Sequence, residues 1–365
     1  LTISIITPFA AKLVFLLQLR YSFVTFFCRK SEKGKFCHAS GMAYRRKSSY
    51  LCSGNIKTRK KMNNHILEEN YLLSNGVKIP KIGLGTWMIE DDKAAEAVRK
   101  AVSLGYHHID TAQGYGNERG VGEGIRTCGL KREAVFVTTK LEAAIKDYDG
   151  TQSAIEESLE RLGLSYIDLM LIHAPQPWTD FRTDNHYFEG NLAAWCALEK
   201  AYKAGKVRAI GVSNFQQEDV ENILKNGDVK PMVNQILAHV SNTPFSLIDY
   251  CRQKCILVEA YSPMGHGEIF RNPMAKSIAA RYGVTIAQLC IRYCLQLGML
   301  PLPKTANAEH MRKNAEVNFN ISDADMEMLK QTEPIKNYGE ASLFPVYGGK
   351  MDDDGTCKPR DFYNQ

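Results

Sequence analysis

The stretch HHIDTAQGYGNERGVG, residues 107–122, concentrates two histidines, an aspartate, a tyrosine and four glycines. Such a segment could cradle phosphate or present acid–base groups at a strand end. A dinucleotide-binding loop needs Gly-x-Gly-x-x-Gly between a strand and a helix, and an acidic residue about 20 positions on. Gly114 and Gly116 would require a glycine where Arg119 stands, and Gly120-Val121-Gly122-Glu123-Gly124 breaks the spacing too. The position for the acid falls within VFVTTK (135–140), which has none, and no Walker pattern occurs. Acid–base chemistry fits better. A tyrosine can protonate a carbonyl oxygen if its pKa, ordinarily near ~10, is pulled toward neutrality. A lysine ammonium lowers it by stabilising phenolate, and an aspartate positions that lysine. Asp110, Tyr115 and Lys140 supply this combination, with His173 as a polar neighbour.

These residues need a frame that brings them together. YLLSNGVKIP places two apolar runs around Asn75-Gly76, a hairpin signal. Eight β-rich runs follow, at 82–86, 107–110, 135–140, 167–173, 208–214, 232–236, 256–262 and 300–304. Helical patterns alternate with them. DKAAEAVRKAVSLG puts Ala95, Val98 and Val102 on one face and closes at Gly105. TQSAIEESLERLGLS is read as a helix capped by Thr151 and closed at Gly163, and YGVTIAQLCIRYCLQLG runs to Gly298. Eight strand–helix units in about 250 residues predict an α/β fold, a (β/α)8 TIM barrel with an N-terminal β-hairpin and a C-terminal loop and tail. From Tyr338 the sequence loses periodicity and is expected to form an ordered loop with a flexible acidic end. In a barrel of this kind, reactive groups sit at the C-terminal strand ends. Seven runs end in Asp110, Lys140, His173, Ser213-Asn214, Asn234-Gln235, Tyr261-Ser262 and Lys304-Thr305. Any one of these could be an ordinary polar strand end, whereas the whole set converges on one rim. His107 and His108 are expected to be structural, and Gly114 and Gly116 to let the loop turn tightly.

Composition narrows the setting. Of 365 residues, 44% are apolar and 24% charged, as in a globular protein. The net charge of +6 is uneven: residues 1–61 hold 13 Lys/Arg and one acid, whereas the remainder holds 33 Lys/Arg against 39 Asp/Glu. The body is mildly acidic, which argues against nucleic acid as its partner. Residues 1–61 form a basic leader, expected to be disordered or foreign to the native protein, with a natural start at Met62. Its Ser, Lys and Arg content also suits an organelle transit peptide. Lys12 and Arg20 interrupt its apolar stretch, so no membrane span is expected. Residues 62–365 are expected to form a single domain in the cytoplasm, as a monomer or weak oligomer without a membrane partner. Seven of the ten cysteines lie in this body, with Cys251/Cys255 and Cys290/Cys294 at helical spacing, and no metal site is expected.

The motifs resemble those of a known family. HHIDTAQGYGNERGVGEGIR, LGLSYIDLMLIHAP and LPKTANAEHMRKNAEV are similar to the three signature regions of the aldo-keto reductases, and GLGTW, GVSNF, VNQI and YSPMG fall between them in order. The resemblance spans residues 66–335, and is strongest to members related to 2,5-diketo-gluconate and prostaglandin F reductases. It implies a barrel that holds NADPH extended across its rim. The activity implied is reduction of aldehydes and ketones to alcohols, with hydride from C4 of the nicotinamide. Asp110, Tyr115, Lys140 and His173 then form the catalytic tetrad, Tyr115 donating the proton and His173 orienting the carbonyl. Ser213, Asn214 and Gln235 correspond to carboxamide contacts, and Tyr261 to the ring stacked on nicotinamide. Ser262, Pro263, Met264 and Gly265 would follow the pyrophosphate, and Lys304, Thr305, Asn307, His310 and Asn314 would hold the far end. Thr86 and Asp110 border the cofactor, while Trp87, Tyr115, His173 and Trp178 would meet a small carbonyl substrate.

Three departures carry expectations. His310 stands where the family often has arginine on the 2′-phosphate, so discrimination against NADH should be weaker, with NADPH still favoured. Lys313 replaces a glutamate. Ala174 replaces the aromatic residue common after the catalytic histidine, which should open one wall of the substrate pocket. A non-catalytic barrel that binds NADPH as a sensor or partner subunit is the alternative. The complete tetrad argues against it. A barrel lyase or phosphate enzyme would need a metal cluster or a glycine-rich final loop, and neither is seen.

Overall fold

The computed structural model describes residues 65–352 and 356–358. The basic leader, the expected boundary at residue 62 and most of the acidic end lie outside them. A hairpin opens the described chain, with β1 (Asn70–Leu72) antiparallel to β2 (Lys78–Pro80). Gly76 adopts φ 86°, the left-handed turn expected of Asn-Gly. The Asn75 amide donates to the Arg208 carbonyl, and Leu73 and Ile79 are buried, so the hairpin seals the N-terminal end of the sheet behind it.

That sheet has eight parallel strands: β3 (Leu84–Gly85), β4 (His108–Asp110), β5 (Phe136–Leu141), β6 (Leu169–Ile172), β7 (Ile210–Ser213), β8 (Val233–Leu237), β9 (Leu257–Tyr261) and β10 (Leu300–Leu302). Each pairs with its sequence neighbour. A parallel bridge between Gly85 and Lys304, with Gly85 N donating to Pro303 O, joins the last strand to the first. The result is a (β/α)8 barrel in which all eight expected strands form. Closure removes the open edges, and apolar side chains from strands and helices fill a continuous core.

The helices are α1 (Asp91–Ser103), α2 (Glu118–Thr127), α3 (Tyr148–Leu162), α4 (Phe188–Lys203), α5 (Gln217–Asn226), α6 (Phe245–Gln253), α7 (Pro273–Tyr282), α8 (Ile286–Gln296), α9 (Ala308–Ala315) and α10 (Asp323–Lys330). α1 buries Ala94, Ala95, Val98, Ala101 and Val102, the face read from the sequence. Two details differ from expectation. Helix α3 begins one turn before Thr151, because the Asp147 carboxylate caps Gly150 N and Thr151 donates back to Asp147 O inside the helix. Cys255 lies past the end of α6 in a left-handed conformation, so it shares no helix face with Cys251. Cys290 and Cys294 do sit together, buried in α8.

Two glycines of the opening motif, Gly120 and Gly122, serve packing. A Cβ on Gly120 would lie 1.9 Å from Asp91 O, and one on Gly122 would lie 2.0 Å from Leu162 O. Their absence lets α2 settle backbone-to-backbone between α1 and α3.

Candidate active site

The C-terminal rim gathers the expected groups. Strand β4 delivers Asp110, β5 delivers Lys140 and the end of β6 delivers His173. Lys140 is completely buried, and its Nζ donates to Asp110 Oδ1 (2.7 Å), Thr111 O (2.8 Å) and Tyr115 Oη (3.2 Å). The three ammonium hydrogens therefore have three acceptors, the condition for keeping a charge in the interior. Tyr115 arrives on a short 3-10 turn, Gln113–Tyr115, ended by Gly116 at φ 68°. Gly114 has a different role from the turn flexibility expected of it: a Cβ there would stand 2.8 Å from Glu142 Oε2.

Burial, reinforced by the Asp110 charge, holds the Tyr115 phenol well above its ordinary pKa. This reverses the expected direction. Lys140 makes its two shorter bonds to Asp110 and Thr111, and the contact that would stabilise phenolate is the longest of the three. Tyr115 is thus a protonated phenol across the neutral range. Burial and the positive charges of Lys140 and Lys146 likewise hold His173 well below the usual imidazole range, as a neutral ring. It lies edge-on to Tyr115, with centroids 5.7 Å apart, and to Trp178 at 5.1 Å.

Beneath the tetrad is a layer in which the sequence pointed to Asp110 and Gln235 but not to Glu259. Gln235 Nε2 donates to both Asp110 Oδ2 and Glu259 Oε2, each at 2.8 Å. Both amide hydrogens face inward, which turns the carbonyl end toward the pocket that Gln235 lines. Glu259 is fully buried, and desolvation together with the Asp110 charge pushes its carboxyl up to about 8. Asn214 is fixed at φ 61° by accepting from Tyr261 Oη (2.7 Å) and donating to His173 O (3.0 Å).

Two cavities meet above this floor. A pocket of about 320 Å³ is lined by Trp87, Tyr115, His173, Trp178, Ser213, Asn214, Gln235 and Tyr261, so most expected carboxamide and substrate residues share it. An adjoining cleft of about 750 Å³ is lined by Ser262, Pro263, Met264, Lys304, Thr305, His310, Lys313 and Asn314. Trp87 and Ser262 border both. Thr86, Asp110, Gly265 and Asn307 reach neither wall. Thr86 is buried, with its hydroxyl on Asp110 O, and Asn307 caps α9 by accepting from Glu309 N and His310 N. His107 and His108 are structural, bonded to Ala134 O and Thr138 Oγ1.

The structure also supplies walls that the sequence reading did not name. Phe344, Val346, Tyr347 and Met351 from the C-terminal segment line the smaller pocket. Tyr347 bonds Ser262 Oγ at 2.6 Å and stacks near Trp87, their centroids 6.2 Å apart. Their only sequence signal was aromatic residues in a Gly/Pro-containing tail. The opening expected beside Ala174 is filled: Ala174 is buried in a cluster with Ala143 and Phe181, against which Trp178 and Val346 pack.

Residues 81–334 match the model of the aldo/keto reductase family. The chain belongs to that family. It is 41% identical over 265 residues to glyoxal reductase of Bacillus subtilis, spanning 72% of this chain and 92% of that protein. It is 40% identical over 272 residues to 9,11-endoperoxide prostaglandin H2 reductase of Trypanosoma cruzi, covering 73% and 92% respectively. A crystal structure of a Bombyx mori aldo-keto reductase in complex with NADP superposes with a TM-score of 0.66 at 30% identity, over 76% of this chain and 98% of that one. Membership makes this chain an NAD(P)H-dependent oxidoreductase acting on carbonyl groups. Among the described residues, no helix is long and apolar enough to cross a membrane.

Proposed function

We propose that the chain reduces aldehydes and ketones with NADPH, and that Tyr115 donates the proton. The supporting observation is the Tyr115 hydroxyl 3.2 Å from a buried lysine, on the wall of a pocket shared with His173 and bordered by Trp87 and Ser262, which also line the larger cleft. The residues present fit the cofactor. Lys304, His310 and Lys313 bring positive or proton-donating groups to the cleft, beside the capped N-terminus of α9, a combination that suits phosphate. Ser262, Pro263 and Met264 would border the pyrophosphate, and Tyr261 and Gln235 the nicotinamide.

When bound, NADPH supplies the hydride. The remaining chemistry belongs to the chain. Neutral His173 has Nδ1 buried without a partner, which leaves Nε2 to hold the carbonyl oxygen toward Tyr115. As negative charge develops on that oxygen, Tyr115 Oη transfers its proton and becomes phenolate. The Lys140 ammonium 3.2 Å away stabilises the phenolate, and Asp110 keeps the ammonium in place. The raised pKa of the resting phenol keeps the donor loaded, while Lys140 acts on the charge as it forms. Trp87, Trp178 and Tyr347 exclude water from the reacting centre.

The test is to mix the full chain with NADPH and a panel of aldehydes and ketones and follow cofactor oxidation. Turnover is expected with several of them. Tight NADPH binding with no oxidation by any would contradict the reading and favour a sensor or partner-subunit role.

A further inference from the structure

The substrate pocket carries one formal charge on its wall among the described residues, and that charge is negative. Of its lining groups, only Glu142 is a carboxylate, and none is a lysine or arginine. His173 is neutral, and Lys140 lies below the wall, bonded to Asp110. Glu142 follows β5 directly. Its backbone N–H donates to Gln113 Oε1 (2.8 Å), and Gln113 is itself held by Ala154 O and Ser158 Oγ. The carboxylate packs against Gly114, next to the proton donor, and its Oε1 accepts a 3.2 Å bond from Ala143 N. No lysine, arginine or histidine pairs with it among the ion pairs of the described residues. It stands on the wall between the pocket and an outer groove, so it is partly solvated and open to a ligand.

The other walls are aromatic. Trp87, Trp178, Phe344 and Tyr347 surround the space above Tyr115. Ring faces attract cations, and a carboxylate among them strengthens the preference, whereas an anionic substrate would meet repulsion with no counter-ion on the wall. Of the other cations behind the wall, Lys146 is bonded to Ala174 O (2.7 Å), and Arg182 lies over the Phe181 ring at 5.2 Å and lines a separate cavity.

We infer that the substrate pocket selects carbonyl compounds bearing an ammonium group, with Glu142 as the specificity-determining residue and the aromatic walls as its support. The inference rests on the reductase reading above and names the substrate class of that same site.

Three meta-substituted benzaldehydes separate the two. One carries trimethylammoniomethyl, one the neutral isostere neopentyl, and one carboxymethyl. Specificity constants are measured for the full chain with NADPH, and again after Glu142→Gln. The expected order is cation, then neutral, then anion, and the substitution should lower the cation-to-neutral ratio by about tenfold. Using that ratio removes intrinsic reactivity and any general loss of active enzyme. Benzyltrimethylammonium should also inhibit reduction of the neutral aldehyde competitively in the unmodified protein, a readout that needs no variant. Turnover of all three aldehydes with an unchanged ratio, and no inhibition by the cation, would overturn the inference and leave the reductase reading intact. Turnover of none would overturn both.

Discussion

The two cavities on the rim are built by opposite means. The floor of the smaller pocket is strand: Asp110, Lys140, Gln235 and Glu259 project from four parallel strands into one hydrogen-bonded layer, all at most 3% exposed. The larger cleft is built from loops and helix ends, and its segment 262–267 carries left-handed residues at Ser262, Gly265, His266 and Gly267. The first region fixes the atoms whose relative position would set the proposed proton transfer. The second, on the function proposed, would hold a long ligand through many weaker contacts, for which the exposed side chains of Lys313 and His310 are suited. A defect in the floor should therefore damage stability and chemistry together, and a defect in the cleft should alter cofactor choice with little effect on either.

The largest effect is expected from Lys140→Met. It would leave the Asp110 carboxylate buried without its cation, so urea unfolding should show a loss of about 3–5 kcal/mol. A stable variant would break the claim that the floor is a single charged unit. Tyr347→Ala should come next, since it removes a wall of the pocket and the bond to Ser262. The KM for a small aldehyde is expected to rise about tenfold, read in steady-state kinetics. His310→Arg, in the cleft, should raise the preference for NADPH over NADH by a similar factor without moving the melting temperature, because guanidinium pairs with phosphate through two bonds.

The smallest effect is one of pH. Glu259 holds its proton up to about 8 in the fold, against an ordinary 4.5. The folded state binds more protons between these values, so its contribution to stability is complete below about 4.5 and is lost as pH rises toward 8. Glu259→Gln should flatten that decline in melting temperature measured from pH 5 to 8. An unchanged slope would mean that Glu259 ionises freely beside Asp110.

The floor was more legible in the sequence than the walls. Alternation of apolar runs with amphipathic helices marks the strands, and a barrel topology sends every strand end to one rim, so Asp110, Lys140 and His173 could be grouped without coordinates. The direction of the Tyr115 pKa could not be read, because it depends on burial and on which acceptors Lys140 reaches most closely. Glu259 lay hidden in an apolar run, ILVEAYS, where only the barrel interior shows it beside Gln235. The tail residues Phe344 and Tyr347 have no periodicity to place them, since their position is set by contact with Trp87, some 260 residues away. Ala174 misled for the same reason: a small residue suggests space, yet Phe181 and Trp178 occupy it from the following loop.

Tyr115→Phe tests the central claim most directly, by pairing single-turnover reduction of an aldehyde with NADPH affinity from quenching of tryptophan fluorescence. The change removes one hydroxyl and leaves the ring, the Asp110–Lys140 pair and the cleft in place. Reduction should slow by about 10²–10⁴-fold while NADPH affinity stays within about twofold. Reduction at near the original rate would contradict the assignment of Tyr115 as the proton donor.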